Sequence, residues 1–177
     1  MITPRAVASL LTCLEAHGIS FWLDGGVGVD ALVGGWTRAH SDLDLVIPLA
    51  QAAEARRALG TLGMTHVTDE LPTRLVVSDG GNRSVDLHTV TFDDEGGGTQ
   101  ELLGGRSFRY PPEGFAGVGW LEGRAWPCLT AEVQVRCHVG YDPDATDYHD
   151  MRLLHERFGV PLPAPYAGHG DGHDVGG

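Results

Sequence analysis

Apolar residues recur at helical spacing from Pro4 to His17, and Gly18 stands where a left-handed residue closes a helix. The next run, ISFWLD, is short and mostly apolar, which fits a buried strand. Gly25 and Gly26 follow it and read as a tight turn, and VGVDALVGG supports a short helix ending at Gly34 and Gly35. WTRAHS is a loop, and DLDLVIPL alternates polar with apolar residues until Pro48 stops it. AQAAEARRALGTLG is an alanine-rich helix with Gly60 and Gly63 near its end. MTHVTDE, TRLVVSD and RSVDLHTV read as three further strands. Residues 92–115 are rich in glycine and proline, which predicts hairpins and loops, and GRAWPCL is a short strand. Thr130 is placed as the N-cap of a helix over TAEVQVRCHVGY, with Glu132 in its first turn. DATDYHDMRLLHERFG is the last helix, with Leu153, Leu154 and Phe158 on its apolar face. This order predicts an α+β domain: a small mixed sheet, flanking helices and a helical C-terminal part.

Side chains two apart on a strand share a face. Asp42 and Asp44 therefore project together, while Leu43 and Leu45 turn into the core. The same rule puts Asp86 and His88 on one face, with Val85, Leu87 and Thr89 on the other. If the two strands are neighbours, three carboxylates converge. Two unit charges about 4 Å apart repel by roughly 4 kcal/mol at an effective dielectric of about 20, so such crowding calls for a cation. Hard oxygen ligands suit Mg²⁺, which also accepts phosphate oxygens. An isolated D-x-D is more often the wet face of an edge strand, and Gly-Gly alone is more often only a turn. Together they weigh more, because a strand, Gly25-Gly26 and a helix N-terminus offer bare N–H groups and a positive helix end to a phosphate.

Composition narrows the setting. The chain has 177 residues, 42% of them apolar, which suits one globular domain. No apolar run approaches the roughly 18 residues that span a bilayer, so no membrane role is expected. The first residues read as a helix rather than an export signal. Cys13, Cys128 and Cys137 lack the spacing of a zinc site or a disulfide framework, and a reducing cytoplasm is the simplest location. With 12 basic against 24 acidic residues the net charge is -12, which argues against nucleic acid as a partner. A polyphosphate ligand would then need metal ions and local arginines. The histidines of HVGYDPDATDYHD, His138 and His149 among them, lack metal-ligand spacing. Trp36, Trp120 and Trp126 read as packing residues.

The stretches FWLDGGVGVDALVGG, TRAHSDLDL, VDLHTVTFDDEGGGTQ, WPCLTAEVQVRCHVGYD and DYHDMRLL resemble the antibiotic nucleotidyltransferases of the small lincosamide type. These belong to the DNA polymerase β-like nucleotidyltransferase superfamily. Aminoglycoside 2''-nucleotidyltransferases share the first half more than the second. The resemblance runs from about Phe21 to Leu154 and implies the polymerase β-like fold. The chain is accordingly divided into a catalytic core over 1–100, a hairpin and helical extension packed on it over 101–164, and a disordered tail over 165–177 that holds His169 and His173.

By the same resemblance, Gly25 and Gly26 contact the triphosphate, and Arg38 and His40 meet phosphate oxygens. Asp42 and Asp44 hold two Mg²⁺ ions, with Asp86 as third ligand and general base. For His40, a structural loop histidine is an equal alternative. His88 is the rival base, an acceptor-site contact or a structural histidine. Tyr141 and Asp147 are expected at the nucleotide or the acceptor, with helix capping the alternative for Asp147. Asp30 is expected to anchor a loop arginine such as Arg38. The chain departs from the family at Val27, where an aromatic is usual, and at Ala39 and Ser41 beside the histidine.

The implied activity is Mg²⁺-dependent transfer of AMP from ATP to a hydroxyl of a small antibiotic or sugar-like acceptor, with pyrophosphate released. Lincosamides lead and aminoglycosides follow, and a homodimer fits the related enzymes. Two other readings are a minimal nucleotidyltransferase antitoxin acting on a protein partner and a catalytically dead ligand-binding module. The elaborated second half disfavours the first of these, and the complete aspartate set the second.

Overall fold

The computed structural model describes residues 1–168. Its elements run α1 (Pro4–Ala16), β1 (Trp22–Asp24), α2 (Gly25–Val33), β2 (Leu43–Pro48), α3 (Ala52–Gly60), β3 (His66–Glu70), β4 (Arg74–Ser78) and β5 (Ser84–Phe92). They continue with β6 (Gly98–Leu102), β7 (Arg106–Tyr110), β8 (Gly117–Leu121), β9 (Arg124–Cys128), α4 (Ala131–Cys137) and α5 (Ala145–Phe158). The main sheet has the order β3-β4-β5-β2-β1-β9-β8, and the β6–β7 hairpin branches from the end of β5. It is mixed: β2 runs parallel to β5 and antiparallel to β1, and β1 runs parallel to β9.

Period-two alternation decides what lies on each face. Leu23, Leu43, Leu45, Val85 and Leu87 turn one way and join Leu10, Leu11, Leu14 and Leu59 of α1 and α3 in the main core. Val46 and Val90 turn the other way, with Asp44, Asp86 and His88, and pack with Tyr110, Leu129 and Val133. A third cluster joins Val29 of α2 to Val135 of α4 and to Met151 and Leu154 of α5. Two faces of α2 are thus covered, one by the sheet and one by the C-terminal helices.

The α+β architecture and the mixed sheet agree with the sequence reading, and several local details differ. The Gly25-Gly26 pair is the first turn of α2 itself, because Asp24 caps it by accepting the Gly25 N–H at 2.8 Å. Thr130 holds the N-cap position of α4, but its side chain makes no capping hydrogen bond. Phe158 is 44% exposed, so the apolar face of α5 is Met151 and Leu154, with Leu153 at its margin. Strand β8 lies beyond the glycine-rich stretch and escaped the pattern, because Val118 and Trp120 leave its outer side exposed.

The division near residue 100 falls inside β6, and β9 of the extension pairs directly with β1 of the core. Both segments therefore build one sheet. Residues 165–168 do not belong to a disordered tail: Tyr166 is buried and its hydroxyl donates to the His138 carbonyl at 2.7 Å. The remainder of that expectation, His169 and His173 included, lies outside the described residues. No helix among the described residues is long and apolar enough to cross a membrane.

Candidate active site

Register builds the site. Asp24 of β1 lies opposite Asp44 of β2, and Asp44 lies beside Asp86 of β5. Three carboxylates therefore stand in one row across three neighbouring strands. Asp44, Asp86 and His88 each offer an atom within 4.8 Å of the others. Asp42 stands just ahead of β2, outside that trio, and accepts from the Ser41 hydroxyl at 2.9 Å. Its charge still reaches Asp44.

The two ends of the row are buried, and its middle member, the Asp44 side chain, is 28% exposed. Asp24 is 6% and Asp86 8% exposed. Asp86 Oδ2 accepts from Arg74 at 2.8 Å, while Asp86 Oδ1 is buried with no hydrogen-bond partner among the described residues. A buried carboxylate oxygen without a donor is costly and marks a position for a cation. The donor set is hard oxygen, which fits Mg²⁺. Asp44 and Asp86 supply it directly, with Asp42 at the margin.

The Gly25-Gly26 turn faces this row. Gly25 has φ +58°, a conformation that side chains rarely adopt, and a Cβ there would overlap the Asp44 carboxylate. A Cβ on Gly26 would overlap the Arg38 guanidinium and crowd the His40 ring. The α2 N-terminus thus packs directly against the Asp44 carboxylate and the Arg38 guanidinium.

The loop carrying Arg38 and His40 is held from two sides. Asp30, almost fully buried in α2, accepts from the Thr37 N–H at 3.0 Å, from the Thr37 hydroxyl at 2.5 Å, and lies 2.7 Å from His40 Nε2. Arg38 reaches past it to Asp150 of α5, at 2.8 Å through Nε and 2.5 Å through one terminal nitrogen. Asp30 therefore anchors Thr37 and His40, and the expected Asp30–Arg38 pair is replaced by Arg38–Asp150. His40 is 3% exposed and edge-on to Trp36, so its ring is a strut beneath Gly26 rather than an open phosphate contact. Trp36 packs on the main core, as expected.

His88 sits 3.6 Å from Asp44 through Nε2. Its Nδ1 is 3.2 Å from the Gln100 side-chain nitrogen, which also donates to the Thr73 carbonyl at 3.2 Å. Tyr110 donates to the Gln100 oxygen at 2.8 Å and so fixes the amide's orientation. Burial works against a charged ring here, but the adjacent Asp44 carboxylate and the charges of Asp24 and Asp86 outweigh it and lift His88 from 6.5 to about 9. The Gln100 N–H opposes the second proton by only about 1 kcal/mol, less than carboxylates a few Å away supply. Asp44 itself is raised above its ordinary value by burial, with His88 pulling the other way.

Asp147 and Tyr141 lie on the C-terminal side. Asp147 completes the capping box of α5 by accepting the Asp144 N–H at 2.9 Å, and its other oxygen accepts the Tyr141 hydroxyl at 2.9 Å. The capping alternative for Asp147 is thus realised. Tyr141 is 49% exposed. A hollow of about 530 Å³ bordered by Arg56, Met64 and Leu71 lies between α3 and the β3–β4 hairpin, away from the carboxylates.

The family model described as aminoglycoside-2''-adenylyltransferase matches residues 6–154. The chain belongs to that family. Among curated relatives, a lincosamide resistance protein of Staphylococcus haemolyticus is 28% identical over 153 residues, covering 86% of this chain and 94% of the relative. A 2''-aminoglycoside nucleotidyltransferase of Klebsiella pneumoniae is 28% identical over 89 residues, covering 50% of this chain and 49% of the relative. Lincomycin-bound lincosamide antibiotic adenylyltransferase LnuA superposes with a TM-score of 0.76 at 27% identity, covering 86% of this chain and 96% of that one. ANT(2'')-Ia in complex with adenylyl-2''-tobramycin shares the fold with a TM-score of 0.66 at 21% identity, covering 86% and 87%.

For this adenylyltransferase-family chain, sequence reasoning missed five side chains that shape the site: Asp24, Arg74, Gln100, Tyr110 and Asp150. Arg74 carried a usable signal. It alternates with buried Leu75 and Val77, so it had to share a face with Val76 and Ser78. The register that sets it opposite His88 was not readable. Gln100 and Tyr110 lie in the glycine-rich stretch, where no period shows which way a side chain turns.

Two outcomes follow. In the metal-free protein the His88 ring, followed by NMR, titrates near pH 9. The raised folded value means that its contribution to stability is complete below about pH 6.5 and is lost as pH rises through about 9. Asp44→Asn brings the titration down, and a wild-type value at or below 6.5 contradicts the account. Separately, Gly25→Ala strains the turn by about 1–3 kcal/mol and displaces Asp44. Denaturant unfolding should register that loss, whereas the same change at Gly35, which meets nothing within 4 Å, should be nearly silent.

Proposed function

We propose that this protein transfers AMP from ATP to a hydroxyl of a lincosamide-like antibiotic, releases pyrophosphate and so inactivates the drug. One observation carries this reading: the unpartnered Asp86 oxygen lies in a row of carboxylates that faces the open N-terminus of α2. Kinship with a lincosamide resistance protein over nearly its whole length supports the acceptor class. An aminoglycoside acceptor is the second reading, favoured by the family model.

In this mechanism the triphosphate lies along the Gly25-Gly26 turn, near the positive end of α2 and beside the Arg38 guanidinium. Asp44 and Asp86, with Asp42 beside them, hold Mg²⁺. When bound, two such ions neutralise phosphate charge and lower the pKa of the attacking hydroxyl. Arg38 adds a fixed positive charge at the same turn. Asp86 accepts the acceptor's proton as the hydroxyl oxygen bonds to the α-phosphorus and the bond to pyrophosphate breaks. His88 steadies Asp44 and contacts the acceptor. Tyr141, half exposed with its hydroxyl on Asp147, offers a ring for the nucleotide or the drug. The cytoplasm, where ATP and Mg²⁺ are abundant, is the setting for this chemistry.

The test is direct. Lincomycin, clindamycin and a panel of aminoglycosides are incubated with Mg²⁺ and ATP, and pyrophosphate and the adduct mass are followed. Wild type should adenylylate a lincosamide. Asp44→Asn should lose at least about 100-fold in kcat and still unfold cooperatively. A variant that turns over at the wild-type rate rejects the metal assignment.

A further inference from the structure

We propose that Asp150, on the C-terminal helix α5, is a positioning residue for the nucleotide phosphates and acts through Arg38. This rests on the nucleotidyltransferase reading above. Asp150 is 1% exposed, and both of its oxygens are engaged by Arg38. The two side chains are 112 residues apart in sequence. A fork of two hydrogen bonds fixes the plane of a guanidinium and not only its location.

The direction of that plane matters because of what lies next to it. The Arg38 terminal nitrogen that meets Asp150 also rests against the backbone of Gly26, close enough that any Cβ there would collide with it. Arg38 Nη1 donates to the Ala39 carbonyl at 3.2 Å. A guanidinium has five N–H groups. With Nε and one N–H from each terminal nitrogen engaged among the described residues, two remain. The Arg38 side chain keeps 22% exposure. The cation is thus pinned at its back and open at its front, beside the turn that faces the carboxylates.

The same segment is pinned a second time from α5, where His149 Nε2 lies 3.0 Å from the Thr37 hydroxyl that Asp30 also holds. A buried ion pair is a poor way to stabilise a fold, since apolar side chains of similar volume do as well or better. A fixed direction for a positive charge is something only the ion pair supplies. Lysine in place of Arg38 would keep the charge and lose the fork.

The experiment compares the binding of a non-hydrolysable ATP analogue with that of adenosine, both with Mg²⁺, in wild type, Asp150→Asn, Arg38→Lys, Arg38→Ala and the Arg38→Ala/Asp150→Asn double variant. Calorimetry serves the analogue and saturation-transfer NMR serves adenosine. Asp150→Asn should weaken the analogue about tenfold or more, with adenosine changed less than about twofold. Arg38→Lys should fall with it, and the double variant should be no worse than Arg38→Ala alone. Equal losses for analogue and adenosine would reveal a merely structural tether and overturn the proposal. So would losses that multiply in the double variant, or wild-type binding in Asp150→Asn. Should Asp150→Asn not fold, Arg38→Lys decides: wild-type affinity for the analogue rejects the aimed fork. A wild-type protein that binds neither ligand overturns the nucleotidyltransferase reading itself, and the proposal with it.

Discussion

The row of carboxylates on β1, β2 and β5 is the constraint that the surrounding structure answers. Parallel pairing of β2 with β5 sets Asp44 beside Asp86, and antiparallel pairing of β1 with β2 sets Asp24 across from Asp44. A sheet holds neighbouring strands about 4.8 Å apart, so these charges cannot separate. Each is partly compensated. Asp24 caps α2, Arg74 takes one oxygen of Asp86, and His88 leans on Asp44. One buried oxygen of Asp86 is left without a partner among the described residues.

The helices serve that row from two directions. The positive end of α2 is delivered to it by a strand-to-helix turn that requires glycine, because Asp44 and Arg38 occupy the space a Cβ would need. The C-terminal helices do not form a separate appendage. They cover the second face of α2, and α5 supplies the buried partner of Arg38. The region after residue 100 therefore completes both the sheet, through β9, and the wall beside the Gly25-Gly26 turn, through Asp150.

Local physics made much of this legible in the sequence. Alternation alone put Asp44, Asp86 and His88 on one face and Leu43, Leu45, Val85 and Leu87 on the other. Glycine after a strand marked the turn. What alternation cannot supply is which strands are neighbours. The pairing of β5 with β2 was a condition of the argument, not a product of it. Long-range partners stayed hidden for the same reason: Arg38–Asp150, His40–Asp30 and the Tyr110–Gln100–His88 chain join residues with no common period. At His40 the contacts agree with the structural alternative, for its ring is committed to Asp30 and Trp36.

The most direct measurement is a crystal structure with a non-hydrolysable ATP analogue and Mn²⁺ in place of Mg²⁺, the metal located by its anomalous signal. The account predicts a manganese peak touching Asp44, Asp86 Oδ1 and a phosphate oxygen, with the triphosphate along Gly25 and Gly26. A bound nucleotide whose metal does not touch Asp86 would contradict it.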